Sequence, residues 1–142
     1  RYHYSSSRLI MIKLCYKTYE YKLNLSACKF FHEKTGKDLQ YTLLLFLDAC
    51  RTSAKMEYIE RLKLFHGVVS FKEASILFYS LIKETDKSIP IDEIEDAMFR
   101  VSWIPSKVDD GGLCQPWPLV LVDLATQVSE YYSELDKKKV VI

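Results

Sequence analysis

The residues of this sequence that could carry out chemistry do not form a known catalytic motif. His32-Glu33 begins like the zinc-binding helix of a metalloprotease, but the second histidine that such a helix needs would fall at Gly36. His66 lies at the predicted end of a helix, where an imidazole commonly caps free carbonyl groups. The sequence contains no Gly-x-Ser-x-Gly elbow, no Gly-x-Gly-x-x-Gly turn and no Gly-Lys-Ser/Thr loop. It therefore predicts neither an activated nucleophile nor a phosphate-binding loop.

The spacing of possible metal ligands does not predict a metal site either. Four carboxylates between Asp92 and Asp96 are spaced like a cation site, but the loop of an EF-hand is missing, so the solvated first turn of a helix is the favoured interpretation. The four cysteines form no Cys-x-x-Cys pair, which predicts small buried thiols; they are Cys15, Cys28, Cys50 and Cys114. We expect no catalytic residue, no metal and no cofactor, and predict that the chain is not an enzyme.

Composition favours a folded domain that works by contact with other proteins. Of the 142 residues, 49% are hydrophobic and 27% are charged, which is typical of a globular chain able to bury a core. The net charge of +1 provides no field for binding nucleic acid or an anionic membrane. No apolar stretch reaches the roughly 18 residues that cross a bilayer. Ten Tyr, seven Phe and two Trp are many for this length, and such rings are enriched at interfaces.

Hydrophobic periodicity predicts a mainly α fold, a single domain of five or six helices that follow a short N-terminal β-hairpin. Alternation from Met11 to Leu23 predicts two strands with a turn near Tyr16 and Lys17. Capping residues and prolines predict the helix starts: Asn24 or Ser26, Asp38, Tyr58, the Ser70–Glu73 capping box, Pro90, and Pro116 or Pro118. Residues 103–115 are predicted to be the one long loop. Residues 1–10 are interpreted as a leader or an expression remnant, 11–136 as the helical domain and 137–142 as a C-terminal tail.

Self-association is predicted from one helix and from the hairpin. The helix from Leu39 to Cys50 is apolar all round its middle, which places it at the centre of the core or in an oligomer contact. The hairpin carries Tyr16, Tyr19 and Tyr21, and these rings together with the tyrosines of the last helix are too many to be buried in one small monomer. The free edge of a hairpin also favours strand pairing between subunits.

Four aromatic residues towards the C-terminus are predicted to bind a partner: Trp103, Trp117, Tyr131 and Tyr132. Trp and Tyr contribute a disproportionate share of binding energy when they are desolvated. The alternative is that Trp117 and Tyr131 pack the last helix onto the core. Tyr132 lies off the main apolar stripe of that helix and distinguishes the two interpretations.

Three segments, in this order, resemble the tail-assembly chaperones of siphophages, which are long-tailed bacteriophages. The first runs from Met11 to Gly36, a hairpin and a helix that ends in Glu-Lys-Thr-Gly. The second is the helical segment from Ser88 to Trp103. The third is Gln115–Val120, where Gln-Pro-Trp-Pro leads into the closing helix. Together they span most of the chain from Met11 onward.

The resemblance implies a homo-oligomeric chaperone that coats the tape-measure protein in the host bacterial cytoplasm while the tail tube polymerises. Its partners would be the tape-measure protein and the tail-tube protein, with no nucleic acid, no membrane and no cofactor. Three alternatives remain open: another phage structural accessory, such as a connector or tail-completion protein; a small hydrolase in an unfamiliar fold; and a helical transcription regulator. The neutral charge and the lack of a basic recognition helix count against the regulator.

Overall fold

The hairpin forms where alternation predicts it. The computed structural model describes residues 11–15, 17–100, 106–107 and 113–141, with 106–107, 113–114, 131–132 and 135–141 described by their backbone alone. Strands β1 (Met11–Leu14) and β2 (Lys17–Glu20) pair antiparallel, with Ile12 opposite Tyr19. Cys15, in the two-residue turn, has a φ of 59°, the left-handed backbone that such tight turns require.

Helices make up most of the described chain, and the predicted mainly α fold with an N-terminal hairpin is confirmed. The six helices are α1 (Leu25–Thr35), α2 (Leu39–Thr52), α3 (Tyr58–Val68), α4 (Phe71–Ile82), α5 (Ile91–Arg100) and α6 (Trp117–Val141). Together with the β1–β2 hairpin they pack around one hydrophobic core.

The helix ends follow from local chemistry. The Asn24 side chain accepts a hydrogen bond from the Ala27 amide at 2.9 Å and caps α1, which ends at Gly36 with a φ of 75°. Ser70 and Glu73 form the predicted capping box at the start of α4, because each side chain accepts from the other residue's amide at 3.1 Å. These predicted helix boundaries are confirmed.

Two boundaries differ from the prediction. The segment predicted to be one long loop contains a second antiparallel pair, β3 (Ser106–Lys107) and β4 (Leu113–Cys114), which is too short to produce a periodic pattern. Helix α6 continues to Val141, so the backbone of the predicted C-terminal tail is helical up to that residue. Residues 137–141 contain no Gly or Pro to end a helix, and lysine is a good helix former.

The core is built from helix pairs and closed by the hairpin. Helix α2 packs against α3 and α6, α1 packs against α4, and α4 packs against α5. The inner face of the hairpin lies on α5 and α6, where Ile12 and Leu14 are almost fully buried. Five aromatic side chains are fully buried in this core: Phe31, Phe46, Phe65, Phe78 and Trp117. Across the part of the chain that the structure describes, no helix is both long enough and apolar enough to cross a membrane.

Candidate partner-binding surface

The acidic run at the start of α5 does not converge on a common point. Glu93 accepts hydrogen bonds from Lys17 Nζ and Tyr19 Oη, both at 2.7 Å, and the Lys17 bond is the main reason why its pKa is lowered. Glu95 lies 3.5 Å from Lys72 Nζ, and Asp96 accepts from Arg100 at 2.9 Å. Each of these three carboxylates therefore has its own donor. Among the described residues, no three His, Cys, Asp or Glu side chains come together as possible metal ligands.

The two candidate histidines lie in different settings. His32 is exposed on α1, whereas His66 on α3 is half-buried with its ring centroid 4.8 Å from that of Trp117. Burial lowers the pKa of His66, so its imidazole is neutral at pH 7. Of the cysteines with a described side chain, Cys15 is buried and Cys28 and Cys50 are half-buried, and none of the three forms a disulfide.

Trp117 lies in the core rather than on the surface. Its exposed fraction is 0%, and its ring is in edge contact with His66 and with Phe71, whose centroid is 6.3 Å away. The indole N–H has no hydrogen-bond acceptor among the described residues. The packing interpretation therefore holds for Trp117, which cannot contact a partner while the core is closed. Trp103 and the side chains of Tyr131 and Tyr132 lie outside the described residues, and α6 carries the backbone of both tyrosines.

The hairpin tyrosines are buried, against the expectation that they form an interface. Tyr19 is 6% exposed and Tyr21 is 3% exposed. The Tyr19 hydroxyl donates to Glu93, and the Tyr21 hydroxyl donates to Gln127 at 3.1 Å. Burial is the largest cause of the raised pKa of both phenols. The prediction is wrong for these two rings because the hairpin closes the core between α5 and α6; Tyr16 lies outside the described residues.

A groove lies between α2 and α6, near the residues predicted to bind a partner, and its lining is mainly apolar. Leu43 and Ala125, both at most 2% exposed, form its floor, and Leu44 and Val128 form its walls. Its volume is about 520 Å³, and the polar residues of its lining are Gln40, Ser129 and Ser133. Tyr132 occupies the helix position one turn after Val128, so the backbone of α6 brings this predicted anchor to the end of the groove.

Beside the groove, α2 presents large apolar side chains to solvent. Tyr41 is 60% exposed, Leu44 is 56% exposed and Leu45 is 36% exposed. The opposite face of α2, with Leu39, Phe46 and their neighbours, lies in the core. Helix α2 is apolar all round its middle, and it therefore buries one apolar face in the core while the other apolar face is exposed to solvent. We refer to Tyr41, Leu44 and Leu45 as the α2 stripe.

The sequence alone did not identify this surface. The sequence predicts an all-round apolar helix from Leu39 to Cys50 but does not predict that α2 and α6 are neighbours. A signal was nevertheless present, because Leu44 and Leu45 fall outside the spacing of the buried positions Leu39, Thr42, Leu43 and Phe46. Comparison with protein-family models, curated proteins and solved structures returned no significant match, so the resemblance to tail-assembly chaperones stands as a hypothesis.

Proposed function

We propose that this chain is a protein-binding chaperone of phage tail assembly, which holds an apolar helical segment of the tape-measure protein in the α2–α6 groove. The observation that carries the proposal is the α2 stripe beside an apolar groove. Exposed apolar groups that adjoin one another on a small protein mark a binding surface more often than isolated ones do. The order of the three sequence segments that resemble siphophage chaperones supplies the identity of the partner.

The shape of the groove suits a helix. An amphipathic helix places apolar side chains at i, i+3, i+4 and i+7 along one face, and these fit a straight trough between two helices. Burying each leucine of the stripe contributes about 2 kcal/mol, so a few such contacts give reversible binding rather than a permanent interface. Reversible binding is what a chaperone needs if the tube is to displace it from the tape measure.

A single charge in the stripe provides the main test. Leu44→Glu places a carboxylate against the apolar wall of the groove, and we expect the affinity for a tape-measure segment to fall at least about 30-fold. Leu25→Glu is the matched control, because Leu25 is a 69% exposed leucine on α1, away from the groove. The measurement is co-purification and calorimetric titration with the segment, after circular dichroism has shown that both variants are folded. Equal loss of binding in both variants would contradict the groove assignment.

Tyr132 gives a second test of the same surface. If its ring is an anchor at the end of the groove, Tyr132→Ala weakens binding of the tape-measure segment by about 2 kcal/mol, roughly 30-fold. Thr126→Ala, at an exposed position of the same helix that does not line the groove, is the matched control and should bind normally. Normal binding by Tyr132→Ala would place the partner surface elsewhere on the molecule.

A connector or tail-completion protein is the second candidate function. It could use the same groove, but it would remain in the finished particle, whereas a chaperone leaves. Mass spectrometry of purified particles separates the two, because only a structural accessory is present in stoichiometric amounts.

A further inference from the structure

The two outer edges of the hairpin differ in what covers them. On β2, the carbonyl of Glu20 accepts from the Thr85 hydroxyl at 2.9 Å, and just after the strand the Lys22 amide donates to the carbonyl of Leu81 at 3.2 Å. The chain at the end of α4 therefore continues the hydrogen bonding on this side. A strand edge without such cover exposes unpaired donors and acceptors, which are a template for a further strand.

The outer edge of β1 is an uncovered edge of this kind. Because a two-residue turn is closed by a hydrogen-bonded pair, Lys13 and Thr18 form the next, non-hydrogen-bonded pair, and the N–H and C=O of Lys13 point away from β2. Neither group forms a hydrogen bond within the part of the chain that the structure describes. Core packing holds the strand in place, since Ile12 and Leu14 are almost fully buried.

A cavity of about 290 Å³ lies beside this edge. Its lining includes the consecutive β1 residues Met11–Lys13 and no residue of β2, which places it at the outer edge of β1. The opposite wall is one face of α6, formed by Val120, Asp123, Leu124 and Gln127. None of these four residues lines the α2–α6 groove, so the cavity and the groove use different faces of α6.

Asp123 is the carboxylate that lines this cavity. Although Asp123 is exposed, the protein around it desolvates the carboxylate enough to raise its pKa. In Glu84 and Glu93, by contrast, hydrogen bonds from lysine side chains are the main cause of a lowered pKa. Other exposed acids also lack an ion pair, and Asp123 is distinguished by its place in a cavity and by this desolvation. A cation placed beside it would relieve that electrostatic cost.

The other polar groups of the lining suit a peptide backbone. The Gln127 amide oxygen accepts from the Tyr21 hydroxyl at 3.1 Å, and the Gln127 NH2 group has no acceptor among the described residues. Lys13 contributes its backbone to the edge, because Ile12 and Leu14 point into the core and the alternating Lys13 side chain therefore lies on the outer face of the hairpin. The cavity thus offers an amide chain both donors and acceptors, together with one negative charge.

We propose that β1 accepts an extended segment of a partner protein as a third strand in the cavity beside α6, with a lysine or arginine of that segment paired with Asp123. Backbone hydrogen bonds to Lys13 supply affinity, and the basic residue sets the register of the added strand. The inference goes beyond the proposed function, because it uses another face of α6 and an extended rather than a helical partner. A single strand suits the cavity better than a second copy of the hairpin, whose β1 brings β2 with it, since α6 bounds the far side.

Short peptides of alternating threonine and valine, capped at both ends, test the site. Their central residue is lysine, glutamine or glutamate, and a fourth peptide repeats the lysine sequence with N-methylated backbone amides. By fluorescence anisotropy at low ionic strength, we expect the full chain to bind the lysine peptide about ten-fold more tightly than the glutamate peptide, with the glutamine peptide between them. N-methylation should weaken binding at least about ten-fold, because it removes the donors that a third strand needs.

Substitutions in the chain locate the site. Lys13→Pro removes the outward N–H of β1 and should weaken all three unmethylated peptides roughly five-fold, whereas its matched control, Thr18→Pro, removes the outward N–H of β2 and should bind them normally. Asp123→Asn should bring the lysine and glutamate peptides to within about two-fold of each other. Its matched control, Asp48→Asn, neutralises an exposed acid of α2 and should keep the lysine preference. Circular dichroism shows first that the variants are folded, and the N-methylated peptide tests strand pairing without any substitution.

The outcomes separate this inference from the proposed function. If the tape-measure segment does not bind but the lysine peptide binds and depends on Lys13 and Asp123 as described, the proposed function fails and the third strand stands. Three results overturn the third strand: no peptide binds, N-methylation changes nothing, or Asp123→Asn keeps the full lysine preference. If Leu44→Glu weakens these peptides, they occupy the α2–α6 groove instead. If the chain is a dimer that Lys13→Pro dissociates, a second copy occupies the edge of β1, and this too overturns the proposal.

Discussion

The two sides of this small fold differ in how completely their side chains are satisfied. Where the hairpin, α1, α4 and α5 meet, charges and hydroxyls find partners on other elements: Tyr19 and Lys17 both bind Glu93, and Thr85 donates to the carbonyl of Glu20 at 2.9 Å. On the α2–α6 side, leucines and carboxylates are exposed, and those carboxylates have no ion-pair partner among the described residues. The contrast lies in these contacts between elements and not in exposure alone, because α1 also exposes Leu25 and Glu33.

Glu84 illustrates the satisfied side. Its side chain is only 6% exposed and accepts hydrogen bonds from Lys83, from Asn24 at 3.1 Å and from Ser26 at 3.0 Å. The bond from Lys83 is the largest cause that lowers the pKa of Glu84 to about 2. One buried carboxylate thus ties the start of α1 to the end of α4. An acid with so many donors is a structural element rather than a reactive group.

The largest expected effect tests whether Trp117 belongs to the core. Trp117→Ala should lower the free energy of unfolding by about 3–5 kcal/mol, because it leaves a cavity beside His66 and Phe71. Trp117→Phe should cost less, about 1–2 kcal/mol, since it also removes an indole N–H that has no acceptor among the described residues. Urea denaturation measures both. A loss of partner binding by Trp117→Phe at full stability would instead make Trp117 a binding residue.

Acid titration should show the contribution of Glu84. Its folded pKa, about 2, lies below the unfolded value of about 4.3, so the carboxylate stabilises the fold above the unfolded pKa and the stabilisation is lost as the pH falls towards 2. Glu84→Gln should therefore be about 1–3 kcal/mol less stable than wild type at pH 7, and the gap should close between about pH 5 and pH 2.

Glu33→Gln is the control for that experiment, because Glu33 is exposed on α1 and forms no ion pair. It should differ little from wild type at any pH in this range. A gap between wild type and Glu84→Gln that is independent of pH would indicate that shape, not charge, matters at this position.

Local signals in the sequence predicted local structure well. Asn24, Gly36 and the Ser70–Glu73 pair act within a few residues of their own position, so the chain's immediate context determines the caps. The burial of Tyr19 could not be predicted in this way, because it depends on Glu93, 74 residues away. The groove could not be predicted in this way either, because it forms only where α2 and α6 pack side by side. Long-range pairing, rather than residue type, decided whether each aromatic residue became core or surface.

The smallest expected structural change concerns self-association, which remains a prediction. With Tyr19 and Tyr21 buried, the hairpin's possible contribution is the outer edge of β1. Leu14 and Lys17 close a two-residue turn and so form a hydrogen-bonded pair, which makes Lys13 and Thr18 the next, non-hydrogen-bonded pair. The backbone N–H of Lys13 therefore points away from β2, and it forms no backbone hydrogen bond among the described residues.

Proline at this position would separate pairing through β1 from assembly through α2. Lys13→Pro removes the outward donor while leaving the β1–β2 bonds in place, so it should turn an oligomer paired through β1 into a monomer with a stability change of about 1 kcal/mol or less. Thr18→Pro, which removes the outward donor of β2, is the matched control and should leave assembly intact. Sedimentation at micromolar concentration reads the result. If the oligomer persists in Lys13→Pro but dissociates in Leu44→Glu, the subunit contact lies on the α2 stripe. Self-association and the partner would then compete for the same groove.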